Sequence, residues 1–301
     1  MDYAELFSRN QGVISPSQQQ RLRDARVLVV GTGGIGGTVA MALARCGVGN
    51  FTLVDFDAFE ATNMNRQMVC RERNLGRNKA RATAQEIRSA NGIANVQVVQ
   101  RVVPIEDLDA LVAGHDLVYP AADDFAYSIC LFRAARRNGI PAVLAVPSGL
   151  WAMVSLLPPD GPTLEELLGL PLGLPYPALQ QLFEAPLYRL ASFFYVLAGG
   201  WHRSYQRRFV EAGAPLTQVS PVVWTAGSLA ALEGMKLLTA IGKPVAAPRY
   251  YWLDSKGVAV QRLPGVNLHT AMVAHRKVSY ALLNSRLGPL VERLAWRFWQ
   301  R

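Results

Sequence analysis

The sequence predicts a doubly wound α/β fold: a mostly parallel Rossmann-like sheet with a helical insertion and a C-terminal helical tail. Three observations point there. Short apolar runs alternate with helical spacings from Arg26 to about Val146. The first run, Val27-Leu28-Val29-Val30, passes directly into Gly31-Thr32-Gly33-Gly34-Ile35-Gly36-Gly37, and the next, Phe51-Thr52-Leu53-Val54, ends on Asp55. Finally, 50% of the 301 residues are hydrophobic and 18% are charged, which suits a chain with a full core and excludes a disordered one.

Residues 1–25 read as an N-terminal arm and 26–157 as a nucleotide-binding α/β domain. Residues 158–215 read as a helical insertion, 216–264 as a helix and closing β-hairpin of the same domain, and 265–301 as a basic tail. Glycine after the first strand lets the backbone approach a phosphate, and the helix that follows offers free N–H donors. Asp55 closes the second strand, where a carboxylate can accept from ribose hydroxyls. Residues 78–90 have helical spacing and 96–103 read as a strand. Asp116-Leu117-Val118-Tyr119 leads as a short strand to Ala121-Ala122-Asp123-Asp124. Residues 125–138 form a helix closed by Asn138-Gly139, and 141–146 a further strand. Beyond Leu157-Pro158-Pro159-Asp160-Gly161-Pro162 come short helices punctuated by Pro171, Pro175, Pro177 and Pro186. Residues 222–241 form a long helix with small residues on parts of its surface, followed by a hairpin around Asp254-Ser255-Lys256-Gly257. In the tail, Pro289 suits the first turn of a helix running to Arg301. There Leu287, Leu290, Val291, Leu294 and Phe298 gather on one side, an apolar stripe expected to dock on the protein itself or a dimer mate.

The N-terminus lacks a basic segment followed by an apolar run, and the apolar stretches near 190–201 and 221–232 fall short of the ~20 residues of a membrane span. A soluble, cytoplasmic protein is expected. Cys46, Cys70 and Cys130 are odd in number and widely spaced, which argues against a disulfide framework or a structural zinc and for buried or semi-buried free thiols. His115, His202, His269 and His275 show no metal-ligand spacing. The net charge is +9, and the tail carries six cations against Glu292. That charge permits an anionic partner, whether tRNA, an acidic protein or, through the tail, a membrane surface, without identifying one.

A second group of residues follows Asp55: Asn63-Met64-Asn65-Arg66-Gln67, then Gly76-Arg77-Asn78-Lys79. Arg66 and Lys79 add fixed positive charge where a triphosphate would lie, a feature that a plain NAD-dependent reductase has no need of. With Ser8-Arg9-Asn10, Leu53-Val54-Asp55-Phe56-Asp57 and Asp123, this ordered set resembles the E1-like adenylyltransferases, the superfamily of ThiF, MoeB, HesA and the ubiquitin-activating enzymes. The resemblance covers roughly residues 3–263.

The resemblance implies an enzyme that uses ATP and Mg²⁺ to activate a carboxylate as an acyl-adenylate, releasing pyrophosphate. It puts Gly31, Gly33, Gly34 and Gly36 at the phosphate turn, Asp55 on the ribose with Asp57 beside it, and Arg66 and Lys79 on phosphate with Asn63 nearby. Asp123 matches the magnesium-binding acid. Arg9 matches an arginine that reaches the other subunit's triphosphate, which implies a homodimer. Two departures narrow the reading. No cysteine follows Cys130, so the usual thiol relay and the four-cysteine zinc are both excluded. Pro120 stands where many relatives have an acid. The expected partner is the carboxylate of a small protein's C-terminus or of a peptide, with direct transfer from the adenylate. A tRNA-modifying E1-like dehydratase and a nucleotide-bound, non-catalytic scaffold are the alternatives.

Overall fold

The computed structural model describes residues 2–185, Tyr188 and residues 199–300, with the side chains of Phe298 and Gln300 and much of the 190–201 stretch outside the description. One eight-stranded sheet organises it, in the order β3-β2-β1-β4-β5-β6-β7-β8. The strands are β1 (Arg26–Val30), β2 (Asn50–Val54), β3 (Asn95–Val99), β4 (Leu117–Pro120), β5 (Ala142–Ser148), β6 (Trp151–Leu157), β7 (Arg249–Asp254) and β8 (Gly257–Arg262). From β3 to β5 all pairings are parallel, and from β5 to β8 all are antiparallel. The parallel half follows the expected alternation. β3 ends at Val99 rather than Val103, because its partner β2 stops at Val54 and the Asp55 N–H takes the Val99 carbonyl.

β6 is an addition to the expected elements. Its seven residues are all buried, so it lacks the alternation that marks a half-exposed strand, and it pairs with β5 along their full lengths. Pro120 sits in β4 opposite Val30. Its ring nitrogen faces β5, and the only paired register there is Val118 with Ala142, so the missing donor interrupts nothing.

Helices cover both faces. The arm holds α1 (Tyr3–Leu6) and α2 (Pro16–Asp24); α3 (Gly34–Cys46), α4 (Lys79–Ala90) and α10 (Ser220–Thr239) share one core with α2. The other core takes α5 (Leu108–Val112), α6 (Phe125–Arg137), α7 (Leu164–Leu168) and α8 (Tyr176–Glu184). Within the insertion, α9 (Arg203–Ala212) follows. The small residues of α10 have a packing reason. A Cβ at Gly227 would stand 2.7 Å from Thr38 on α3, and one at Gly234 would collide with the Tyr119 hydroxyl.

The tail differs most from expectation. It begins with an unforeseen helix, α11 (Leu268–Leu283), whose Met272 and Val273 are buried, before α12 (Gly288–Gln300). His269 of α11 is fully buried; its Nε2 donates to the Leu167 carbonyl at 2.9 Å and its ring packs edge-on to Tyr250. Burial lowers its pKa to about 4. On α12, Trp299 Nε1 donates to Glu211 on α9 at 2.9 Å, while Leu287, Leu290 and Leu294 remain more than half exposed. Among the described residues, these three leucines of the stripe do not dock on their own chain, whereas the Trp299 edge does. Among the described residues, no helix is long and apolar enough to cross a membrane.

Candidate active site

The C-terminal ends of β1, β2 and β4 converge at one edge of the sheet, and each delivers a different chemistry. β1 ends in Gly31, which adopts φ +87 and lies so close to Ala121 and Ala122 that a Cβ would overlap their backbone. Gly36, one turn into α3, lies against the Gly31 carbonyl in the same way. Only glycine fits at these two positions, and the tight turn aims the N-terminus of a thirteen-residue helix at the sheet edge. Gly33 and Gly34 lie at the open side of the turn, beside Gln67 and Val223.

β2 delivers Asp55, which is 7% exposed. Its Oδ2 accepts from the Thr32 N–H at 2.7 Å and the Thr32 hydroxyl at 3.1 Å, and Oδ1 accepts from the Asp57 N–H at 3.0 Å. Burial pushes its carboxyl pKa up, while the Thr32 and Asp57 donors and the Lys79 charge oppose the rise. The acid is thus locked to the phosphate turn. Asn78 caps α4 and also donates to the Asp55 and Asp57 carbonyls. That clamp holds Lys79, 5% exposed, with Nζ 2.9 Å from Asp57 Oδ2. Asp55, Asp57, Asn78 and Lys79 form one cluster between the starts of α3 and α4.

Arg66 reaches the same edge from the segment after β2. Its Nε donates to Gln218 Oε1 at 2.9 Å, and Nη1 donates to Thr62 O and Asn65 Oδ1, both at 2.9 Å. All three acceptors are neutral. Asn63 serves a local turn, its Oδ1 accepting from the Glu60 N–H. β4 runs through Pro120 to Asp123, which is exposed and has no hydrogen bond or ion pair among the described residues. Its neighbour caps α6 instead: Asp124 accepts from the Tyr127 N–H at 3.0 Å and from the Tyr176 hydroxyl at 2.7 Å. Helix capping therefore leaves Asp123 at liberty.

Asp123 and Gly34 border a cavity of roughly 450 Å³ that runs under the insertion, walled by β5, β6 and residues 213–216. That volume suits a small-molecule-sized group. Arg9 is elsewhere. It lies in an exposed turn, next to Asn10, which donates to the Cys46 carbonyl at the C-terminus of α3. The glycine turn is at the other end of that helix, about 20 Å away at 1.5 Å per residue. Within one chain Arg9 is remote from the cluster.

Sequence reasoning missed three contributors. Asn78 was legible as an Asn-Lys helix start. Gln218 carries no local signal, since it meets Arg66 across 152 residues; Gln67 stands in the Asn63-Met64-Asn65-Arg66-Gln67 motif without a role assigned to it, and is buried beside Gly33 with its Oε1 unpaired among the described residues. Cys46, Cys70 and Cys130 are free, the last two buried, and burial raises the pKa of all three.

A model of the ThiF family matches residues 7–271. The SAMP-activating enzyme E1 of Haloferax volcanii is 36% identical over 149 residues, 50% of this chain and 55% of that protein. The chain thus spans little more than half of that relative. The molybdopterin-synthase adenylyltransferase of Escherichia coli is 28% identical over 229 residues, 76% of this chain and 78% of the relative. Among solved structures, E. coli MccB with AMPCPP and MccA shares the fold, with a TM-score of 0.66 at 21% identity, over 86% of this chain and 71% of that one.

Proposed function

The chain belongs to the ThiF family, and on that premise we propose that it is an ATP-dependent adenylyltransferase acting on a carboxylate of a small protein or peptide. The observation that carries this reading is the convergence on one sheet edge of a glycine turn, a buried acid, two cations and an exposed aspartate, with Gly34 and Asp123 bordering a cavity of roughly 450 Å³.

The chemistry asks for those groups. A carboxylate oxygen attacks the α-phosphorus, forming a P–O bond as the bond to the β-phosphate oxygen breaks and pyrophosphate leaves. Carboxylate and triphosphate repel each other, so catalysis is mostly positioning and charge neutralisation. Gly31 and Gly36 permit the tight turn, and Gly33 and Gly34 line its side at the start of α3, where phosphate oxygens would approach. Asp55, held by Thr32, would accept from the ribose, with Asp57 steadying Lys79. Arg66 would exchange neutral partners for phosphate, and a charge-assisted bond is the stronger of the two. Gln218, released, would then be free to meet the nucleotide or the acyl group. A lone exposed carboxylate fits Mg²⁺, which takes one or two protein carboxylates and fills its shell with phosphate and water; Asp123 would hold it, and the ion would neutralise the phosphate oxygens.

Transfer would proceed directly from the adenylate. The raised pKa of all three thiols keeps them protonated near neutrality, which supports a mechanism without a relay. Arg9 would act in trans in a homodimer, since it is remote from its own cluster. Mixing equal amounts of Arg9→Ala and Asp123→Ala chains should restore about a quarter of the activity, because half the dimers are then mixed and each regains one intact site. No recovery after demonstrated subunit exchange would remove Arg9 from the site. The reaction itself is tested by trapping with hydroxylamine: a peptide or small-protein carboxylate, Mg·ATP and the protein should yield an acyl-hydroxamate with AMP and pyrophosphate. ADP and phosphate as products would contradict adenylylation.

A further inference from the structure

Adenylylation as described asks Arg66 to meet phosphate, yet the donors it would use are already engaged. A guanidinium carries N–H donors on Nε and on two Nη atoms, and it grips a phosphate best with two neighbouring nitrogens at once. Arg66 Nε donates to Gln218 Oε1, and Nη1 donates to both Thr62 O and Asn65 Oδ1, all at 2.9 Å. Its Nη2 makes no hydrogen bond among the described residues. Neither the Nε–Nη2 edge nor the Nη1–Nη2 edge is therefore open at both nitrogens.

The two edges differ in what must let go. Opening the Nη1 edge breaks two bonds, both to groups within four residues of Arg66. Opening the Nε edge breaks one, to a side chain 152 residues away. The backbones at both ends of that contact are anchored. Trp224 Nε1 on α10 donates to the Arg66 carbonyl at 2.9 Å, and Asn65 Nδ2 donates to the Gln218 carbonyl at 3.1 Å. Next to Gln218, the Thr217 carbonyl accepts from the Gly149 N–H at 2.7 Å. The Gln218 carboxamide can turn without disturbing any of these, since its Nε2 makes no hydrogen bond among the described residues. Gln218 is half-buried and lines the cavity with Gly34, and Arg66 Cγ lies 4.0 Å from where a Cβ on Gly34 would stand. The contact sits where the phosphate turn meets the cavity.

We propose that Gln218 is a positioning residue that holds Arg66 in reserve: in the nucleotide-free protein its carboxamide oxygen occupies the Nε donor that a triphosphate needs, so nucleotide binding must displace it. The role rests on the adenylylation reading in taking phosphate as the ligand of Arg66. Such a latch lowers ATP affinity, the reverse of what a merely supporting side chain does. The displaced amide stays on the cavity wall, beside the acyl group.

The test is the affinity of the full chain for Mg·ATP, measured by calorimetry, with adenosine as the probe that lacks phosphate, followed by ligand-observed NMR. Gln218→Met keeps the length of the side chain and removes its strong acceptor. It should tighten Mg·ATP binding about threefold or more, because a hydrogen bond from a charged donor no longer has to break, and leave adenosine binding unchanged. Gln218→Asn, one methylene shorter, should shift ATP affinity the same way, and it serves if the methionine variant fails to fold. In an Arg66→Met background, Gln218→Met should move ATP affinity by less than about twofold, since no guanidinium remains to be released. Unchanged or weaker ATP binding by the folded Gln218 variants overturns the proposal and leaves the adenylylation reading standing. So does a tightening that adenosine shares or that persists without Arg66. A wild type that binds no ATP in magnesium buffer removes that reading and the latch together.

Discussion

The two halves of the sheet are built on different principles. From β3 to β5 the strands are parallel, and the functional groups sit on the turns that leave them, close in sequence to the strand they follow. From β5 to β8 the strands are antiparallel, and the cavity that begins at Gly34 and Asp123 is completed there by residues of β5, β6, the insertion and the tail helix as far as Arg276. In the first half, the positions of Gly31, Asp55 and Lys79 follow from strand order alone. In the second, Arg276 meets Leu168 across 108 residues, and only the packing of α11 on α7 brings it there. On the proposed reading, the parallel half is the nucleotide platform and the cavity above the antiparallel half is the acyl chamber.

The largest expected effect probes the border between the halves. Asp123→Ala should lower carboxylate-dependent pyrophosphate exchange about 10²-fold or more, while the melting temperature moves little, since the side chain is exposed and makes no contact that the fold depends on. A matching loss of stability would mean that Asp123 is structural and the border is misdrawn.

Acid should loosen the second half. His269 is neutral when folded, with a pKa of about 4, and titrates near 6.5 when unfolded. The unfolded state binds the extra proton between those values, so stability is intact above about pH 6.5 and declines as pH falls towards 4. The loss is about 3 kcal/mol at most, given 1.36 kcal/mol per pH unit. Denaturant titrations at pH 7 and 4.5 should show this slope in the wild type and a flatter one in His269→Gln. Equal slopes would show that α11 does not depend on a neutral imidazole.

The platform should be intolerant where backbone meets backbone. Gly36→Ala places a methyl on the Gly31 carbonyl and should cost about 1–3 kcal/mol and most of the ATP affinity. Gly92→Ala, whose nearest contact would be an ordinary 3.7 Å, should be nearly neutral. Thermal melts and calorimetry on both variants separate a strained turn from a general aversion to alanine. The smallest effect concerns sulfur. Replacing Cys46 with Ser and Cys70 and Cys130 with Ala should leave adenylate formation within about twofold. A folded triple variant that forms none would restore a thiol to the mechanism.

The sequence disclosed the platform because its determinants are local. A strand running into glycines and a strand ending on an acid are both visible in neighbouring residues, and the parallel order places them on one edge. The Asp123 position was legible as well, although its neighbour Asp124 proved to be the helix cap. The antiparallel half was harder to read. β6 is uniformly buried and so shows no alternation, and α11 shows neither a glycine stop nor a broad apolar stripe to announce its docking. Arg276 looked like one more charge in a basic tail. Its burial is a property of the assembled cavity, and so is the bond between Arg66 and Gln218.

Adenylylation at this sheet edge requires that it take ATP in preference to NAD. Calorimetric titration of the full chain in magnesium buffer with ATP and with NAD decides it. Arg66, Lys79 and Asp123 have work to do only on a triphosphate, so ATP should bind at least tenfold more tightly, and Lys79→Met should erase most of that difference. Tighter binding of NAD than of ATP would contradict the assignment of this sheet edge to adenylylation.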